Sequence, residues 1–350
     1  MYASPELALE ACPPSRARRA AIAIPDGTRD VDVVRALLAL RAYCDDARVI
    51  VGLGLHRPMH QHELVASPFP LVQHDPDDTR PTTRVNGIPG HISRHVDGCD
   101  ALWTLGIVEL HQYAGFSGGH KGAAVGLGGR ATIDALHHRD RVTAPGVTLG
   151  NLDGNPFRDA VDGLGRVAGC SYALNVAAGR WLGGEPGHVL REAAASLDCW
   201  WDHHERYPSM VLRVPPHKAV NFYQASRAAT YVGLSARPPL LEGATLYLEA
   251  GCPEGLGEGS GERAFAEAMA ATPPPWGAYL DNEAPVGGGT QRAVMLALLL
   301  RRYRLVVTGC KRAPALAAVG LRATSERVRP PGALVVDDPF GRVPRLVISP

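Results

Sequence analysis

Along this 350-residue chain, unbroken apolar runs alternate with stretches whose apolar positions recur at helical spacing. Residues 20–24 (AAIAI), 48–53 (RVIVGL) and 101–105 (ALWTL, extended by Ile107 and Val108) are apolar nearly throughout and predict strands buried on both faces. Residues 31–43 place Val33, Val34, Leu37, Leu38 and Leu40 on a helical stripe. Residues 59–65 read as the opening of a helix, 71–74 as a short strand, and 79–96 as a hairpin-like loop. Farther on, 131–136, 158–168 and 188–197 predict helices, 172–176 a strand, and 150–156 and 180–184 turns. Prolines and polar residues at 206–216 suggest a boundary. Beyond it the strands 211–214, 245–250 and 305–308 alternate with the helices 222–232 and 288–303, and two short strands (333–336 and 345–348) close the chain.

Strand and helix in alternation give an α/β chain with parallel-type sheets. The length exceeds what one core usually supports, so two α/β domains are expected. They are residues 1–205 and a smaller 206–329, with the strands in 330–350 returning to the first domain.

In open parallel sheets the loops that follow the strands gather at one edge, and ligands bind there. Three such loops carry reactive side chains. The first, PDGTRD, brings Asp26, Thr28 and Arg29. A guanidinium there suits a carboxylate or phosphate; the alternative has Asp26 capping the next helix and Arg29 in solvent. The second, GLHRPMHQHEL, brings His56, with Glu63 as a helix-surface carboxylate. His60 and His62 stand two apart and share no helical face, which argues against a paired metal site. The third, ELHQYAGFSGGHKGAAVGLGG, brings His111, His120 and Lys121 among glycines that include Gly118 and Gly119. Glycines at this density let backbone N–H groups approach a ligand. The spacing fits a cofactor cradle and a glycine-rich surface turn equally well. Between these loops, HDPDD at 74–78 reads as a polar turn ahead of a divalent-ion site. In the second domain Asn221, Gln224 and Arg227 occupy a strand-to-helix turn, and CPEGLGEG (252–259) forms another strand-end glycine loop.

Composition narrows the function classes. The formal net charge is +1 and no run of Lys or Arg occurs, so neither nucleic acid nor a membrane surface is an expected partner. No apolar stretch is long enough to span a bilayer, and the first residues lack a signal-peptide core. The seven cysteines are scattered, odd in number and free of any CxxC spacing, which points to a reducing compartment and a cytoplasmic protein.

The motifs PDGTR, GLHRPMHQHEL, HD at 74–75, ELHQYAGFSGGHKGAAVGLGG, GNP, NFYQASRAA and CPEGLGEG, in that order, resemble the lactate racemase family of nickel-pincer-nucleotide 2-hydroxyacid racemases and epimerases. The resemblance runs from about residue 20 to 260. It implies two α/β domains with the active site in the cleft between them. It also implies a nickel pyridinium-3,5-bisthiocarboxylic acid mononucleotide joined covalently to Lys121 and supplied by cofactor-biosynthesis enzymes. By the same resemblance His56 and His111 are general acid/bases and His137, sixteen residues after Lys121, is a nickel ligand. Asp26, Thr28, Arg29, Gly118 and Gly119 lie at the cofactor, and Arg29, Gln224 and Arg227 meet the substrate, a small-molecule 2-hydroxy acid. Two departures stand out. Arg227 replaces the family's usual lysine, and Val125-Gly126 replaces its Pro-Gly.

Inverting a 2-hydroxy acid through hydride transfer requires loss of the hydroxyl proton as the Cα hydrogen leaves, then re-reduction of the planar 2-oxo acid from its other face. Each enantiomer presents its hydroxyl differently, so two imidazoles, with an ordinary pKa of about 6.5, suit the task. Two other readings compete. One is a metal-dependent hydrolase built on His56, His74, Asp75, His111 and His137. The other is a non-catalytic relative that only binds the nucleotide.

Overall fold

The computed structural model describes residues 1–272, 274–281 and 285–347. The chain divides into two compact units: Met1–Leu136 with Asp140–Leu197, and His137–Arg139 with Asp198–Pro350.

The first unit opens with helix α1 (Pro5–Ala11), which Ser4 caps, and strand β1 (Ala17–Pro25). After α2 (Val33–Leu40) come β2 (Cys44–Gly52), β3 (Leu71–Gln73), and the antiparallel hairpin β4 (Thr79–Val85) and β5 (Ile88–Ser93). Then follow β6 (Ala101–Ile107), the small ribbon β7 (Leu110–His111) and β8 (Gly115–Phe116), and helices α3 (Arg130–Leu136) and α4 (Arg139–Val142). Helix α5 (Pro156–Val167), strands β9 (Cys170–Ala177) and β10 (Arg180–Gly184), and helix α6 (Pro186–Ala195) complete it. The main sheet has the order β10-β9-β6-β1-β2-β3, parallel except for β10. The chain winds outward from β1 to β3, then crosses back to place β6 on the other side of β1. The strand order therefore switches between β1 and β6, where open α/β sheets bind their ligands.

Strand β1 divides its side chains between two cores. Ile22 and Ile24 pack with Leu9, Leu37 and Leu40, whereas Ala21 and Ala23 join Ala123 and Leu127 on the opposite face. Small residues are required on that second face because a wide π-helical turn, Gly122–Gly126, lies directly on it. A Cβ added to Gly52 would stand 3.1 Å from the Gly126 Cα. This seating of GAAVG on alanine and glycine fixes the chain that follows Lys121.

The second unit contains β11 (Trp200–His203), β12 (Tyr207–Arg213), α7 (Phe222–Gly233), β13 (Leu240–Glu249), α8 (Ser260–Ala271) and α9 (Gln291–Leu300). It continues through β14 (Arg304–Thr308), α10 (Ala313–Ala317), β15 (Arg322–Ala323), β16 (Leu334–Val336) and β17 (Val343–Leu346). Its main sheet is parallel, in the order β15-β14-β13-β12-β16.

Four sequence expectations are corrected. The division falls between Leu197 and Asp198, not at 205/206. The closing strands do not return to the first unit: β16 pairs with β12 and β17 with β11, because their apolar side chains complete the second unit's own sheets. Ile348, the last residue expected in that strand, lies outside the described residues. Residues 180–184 form a strand, because Ala178 and Gly179, both at positive φ, make the tight turn that folds β10 back on β9. Residues 59–65 yield one 3-10 turn, Gln61–Glu63, since the Glu63 carboxylate is drawn back onto Arg57 and the His60 N–H. Among the described residues no helix is long and apolar enough to cross a membrane.

Candidate active site

The loop after β1 turns on Asp26. Its Oδ1 accepts from the Thr28 N–H at 3.0 Å and the Thr28 hydroxyl at 2.5 Å. Its Oδ2 accepts from His56 Nδ1 at 2.6 Å. Burial by itself would raise this carboxyl, but the His56 charge and hydrogen bond, Thr28 and Arg29 together hold it well below the usual carboxylate range. Asp26 does not cap the next helix; Asp32 does, accepting from the Arg35 N–H. With Asp26 ionised, the proton of the shared bond sits on His56 Nδ1. This pair carries a pH prediction. A depressed carboxyl contributes stability that is complete above its unfolded pKa of about 3.9 and drains away as pH falls through its folded value. Between pH 4 and 2, wild type should therefore lose melting temperature more steeply than Asp26→Asn, and equal slopes would refute the pairing.

The loop after β2 is held open by Glu63, which clamps Arg57 through two contacts at 2.7 and 2.8 Å. Those contacts bring its pKa down to about 2. His60 and His62 stack on each other with ring centroids 5.6 Å apart.

The loop after β6 contributes Glu109, which forms an ion pair with Arg29; both side chains are largely buried. Arg29, expected to meet a ligand alone, is thereby braced across the switch between β1 and β6. His111 is buried, and its Nδ1 accepts from the backbone N–H groups of Tyr113 at 3.3 Å and Ala114 at 3.1 Å. The neutral ring therefore carries its proton on Nε2, the opposite arrangement to His56.

Gly118 and Gly119 have φ of +90° and +57°. Asn175 on β9 accepts from the Gly119 N–H at 2.8 Å, and the Thr104 hydroxyl donates to the Gly119 carbonyl at 3.1 Å. A Cβ on Gly118 would lie 2.7 Å from Val108 and 2.8 Å from the Asn175 side chain. Gly118→Ala should accordingly destabilise the protein by about 1–3 kcal/mol, read as a lower urea midpoint at constant slope. An unchanged midpoint would remove the tight-cradle account. Lys121 follows as the half-buried residue from which the π-helical turn starts. His120, by contrast, turns inward: it is 1% exposed, its Nδ1 lies 3.1 Å from Asp162, and Asp162 also accepts from the buried Arg158 at 2.7 Å. It secures the loop from beneath.

The hydrolase reading is not favoured. His74 is buried, its Nε2 donates to the Gly128 carbonyl at 3.0 Å, and burial lowers its pKa. Asp77 and Asp78 pair with Arg130 and Arg94, which makes HDPDD the polar turn. Among the described residues no group of three or more His, Cys, Asp or Glu is placed to hold a metal ion.

In the second unit the Asn221 side chain caps α7 by accepting from the Gln224 N–H at 2.9 Å. Gln224 and Arg227 are buried one helical turn apart, and the Arg227 guanidinium lies 5.6 Å from the Phe340 ring centroid. His137, directly after α3, is 8% exposed and groups with this second unit.

Sequence reasoning passed over Glu109 and Asn175 as site residues. Glu109 was visible as an acid two places before His111, and Asn175 as one amide inside an apolar strand. Nothing in the sequence says which partner either one faces.

Residues 9–150 match the family model for the lactate racemase N-terminal domain. Lactate racemase of Lactiplantibacillus plantarum is 29% identical over 153 residues, 40% of this chain and 36% of that protein. Lactate racemase of Thermoanaerobacterium thermosaccharolyticum is 25% identical over 142 residues, 37% of this chain and 33% of that protein. The aligned stretches thus span about a third of each of these relatives. The fold likeness is far broader. The solved lactate racemase apoprotein from T. thermosaccharolyticum superposes with a TM-score of 0.79 at 16% identity, covering 98% of this chain and 93% of that one. A solved protein from Thermotoga maritima gives 0.73 at 12% identity, covering 98% and 96%. Residues 9–150 are thus similar to the lactate racemase N-terminal domain, and the fold as a whole is similar to that of the solved lactate racemase apoprotein.

Proposed function

We propose that this protein racemises or epimerises a 2-hydroxy acid, with His56 and His111 moving the hydroxyl proton and a nickel-pincer nucleotide tethered at Lys121. The observation that carries this reading is the opposite hydrogen bonding of the two imidazoles. Asp26 takes the Nδ1 proton of His56, whereas the backbone donates to Nδ1 of His111.

The first unit suits the cofactor. Its glycine loop packs so closely that a Cβ at Gly118 would meet Val108 and Asn175 and one at Gly119 would meet Pro186, and this fixed loop leads into a primary amine at Lys121. That amine would form the covalent link, and His137 would supply an imidazole to nickel. When bound, the nucleotide supplies the acceptor and donor of the hydride.

The rest falls to the chain. His56, held by Asp26, takes the hydroxyl proton at Nε2 from one enantiomer. His111 would donate a hydrogen bond from Nε2–H to the oxygen on the other side, and a full proton transfer from it requires the ring to take up a second proton first, so one ring begins as acceptor and the other as donor. Arg29, braced by Glu109, orients the substrate carboxylate. By the resemblance, Gln224 and Arg227 would be further contacts to the substrate. A guanidinium at 227 provides a planar fork where lysine would provide a point charge. Enzymes that make the nucleotide are the protein's partners on this reading.

Intact mass and nickel analysis test the proposal on protein co-produced with those cofactor-making enzymes. A covalent increment with about one nickel per chain is expected. An unmodified, nickel-free chain, under conditions that load a known family member, would overturn it.

A further inference from the structure

Strands β13 and β14 are parallel neighbours, with Glu249 opposite Thr308. Their pairing continues past the ends of both strands: the Ala250 N–H donates to Thr308 at 3.0 Å and the Lys311 N–H to Gly251 at 2.7 Å. Continuing this register sets Cys310 opposite Gly251 and Cys252 one place farther on, so two cysteines distant in sequence are diagonal neighbours just past the ends of the two strands. Adjacent strands lie about 4.8 Å apart, within the span a disulfide bridges. Both residues are buried, at 0% and 1% exposure.

Two further observations single out the pair. Cys252 holds φ of +41°, a left-handed conformation that a side chain other than Gly, Asn or Asp rarely adopts. The loop there accepts strain and still carries a thiol. The two thiols also perturb each other's ionisation. The neighbouring Cys252 and the Arg312 backbone N–H lower the Cys310 pKa against the opposing effect of burial, while Cys310 and burial raise that of Cys252. Cys310 is thus the nucleophile of the pair.

We infer that Cys252 and Cys310 form a reversible intrachain disulfide when the protein meets a small peroxide. The Cys310 thiolate attacks one oxygen of hydrogen peroxide, breaking the O–O bond to give a sulfenic acid and hydroxide. The Cys252 sulfur then attacks that sulfenic sulfur, the S–S bond forms, and the oxygen leaves as water. In sum, two thiols and one peroxide give one disulfide and two waters, and a dithiol reductant reverses the change.

The bridge would act on α7. The Cys252 N–H donates to the Ala219 carbonyl at 2.9 Å, the Glu254 N–H to Val220 at 3.0 Å, and the Phe222 N–H to Gly255 at 2.8 Å. The Asn221 amide also reaches Glu254 at 3.1 Å. The loop that carries Cys252 is therefore tied to the start of the helix that bears Gln224 and Arg227.

The test is thiol mapping on the full-length Cys12→Ser protein, which lacks the exposed cysteine. The protein is treated with hydrogen peroxide, denatured, alkylated and digested without reductant. A 2 Da mass loss, a linked peptide pair containing Cys252 and Cys310, and full recovery of both thiols with dithiothreitol are expected. Cys252→Ser should instead stop at a trappable sulfenic acid on Cys310, and Cys310→Ser should leave Cys252 alkylatable. Both thiols alkylated after treatment, or oxidation confined to other cysteines, would overturn the inference, and the unsubstituted thiols decide it even if a serine variant misfolds. None of these outcomes depends on racemase activity.

Discussion

Lys121→Ala protein, co-produced with cofactor-making enzymes, should show the unmodified chain mass and lose racemisation by more than about a thousandfold. The size follows from the division of labour in cofactor enzymes, where the bound group performs the difficult chemistry and the protein positions it. The fold should survive, because Lys121 is half-buried and the segment after it is held through its backbone: Gly54 N–H donates to Gly126 at 3.1 Å, and Thr104 and Asn175 grip Gly119. Thermal melting within a few degrees of wild type would therefore separate lost attachment from lost structure. Full turnover by this variant would remove the covalent tether from the mechanism.

His56→Asn and His111→Asn should each reduce racemisation by about 10²–10⁴, the usual scale for a positioned acid or base. The two losses have different origins. Replacing His56 also removes the partner that holds Asp26 ionised, so the variant should lose part of wild type's steep acid sensitivity. Replacing His111 leaves the Asp26 carboxylate in place but removes the acceptor for the Tyr113 and Ala114 N–H groups, which loosens the loop before Gly118. Chiral chromatography of product from each enantiomer, with melting curves across pH 2–7, reads both effects. Wild-type rates in either variant would show that its imidazole moves no proton. Identical acid profiles for the His56 variant and wild type would detach the Asp26 contact from stability.

On the proposed reading, the Arg29–Glu109 pair bears on how a carboxylate substrate would be held. A guanidinium already braced by a carboxylate is fixed in orientation, so less side-chain freedom is lost when a second carboxylate docks. The brace spans the loops after β1 and β6, the two strands between which the sheet order switches.

Much of this was legible in the chain itself, for local reasons. Apolar runs such as AAIAI and RVIVGL have no other use than a buried parallel strand, so the α/β class and the strand-end positions of Asp26, His56 and His111 followed from pattern alone. The glycines of FSGGHKGAAVGLGG announced a close backbone approach because no other residue permits one. Tertiary structure decided everything that depends on a partner distant in sequence. It paired Glu109 with Arg29, set Asn175 under Gly119, turned His120 inward onto Asp162 and His74 onto Gly128, and brought Cys252 beside Cys310. It also decided where the closing strands dock, since β16 and β17 are too short to encode a partner and settle where an edge strand offers both hydrogen bonds and apolar cover. Periodicity records which face a residue turns to the core; what waits on that face is set by how the strands are ordered, and that order is a property of the folded sheet.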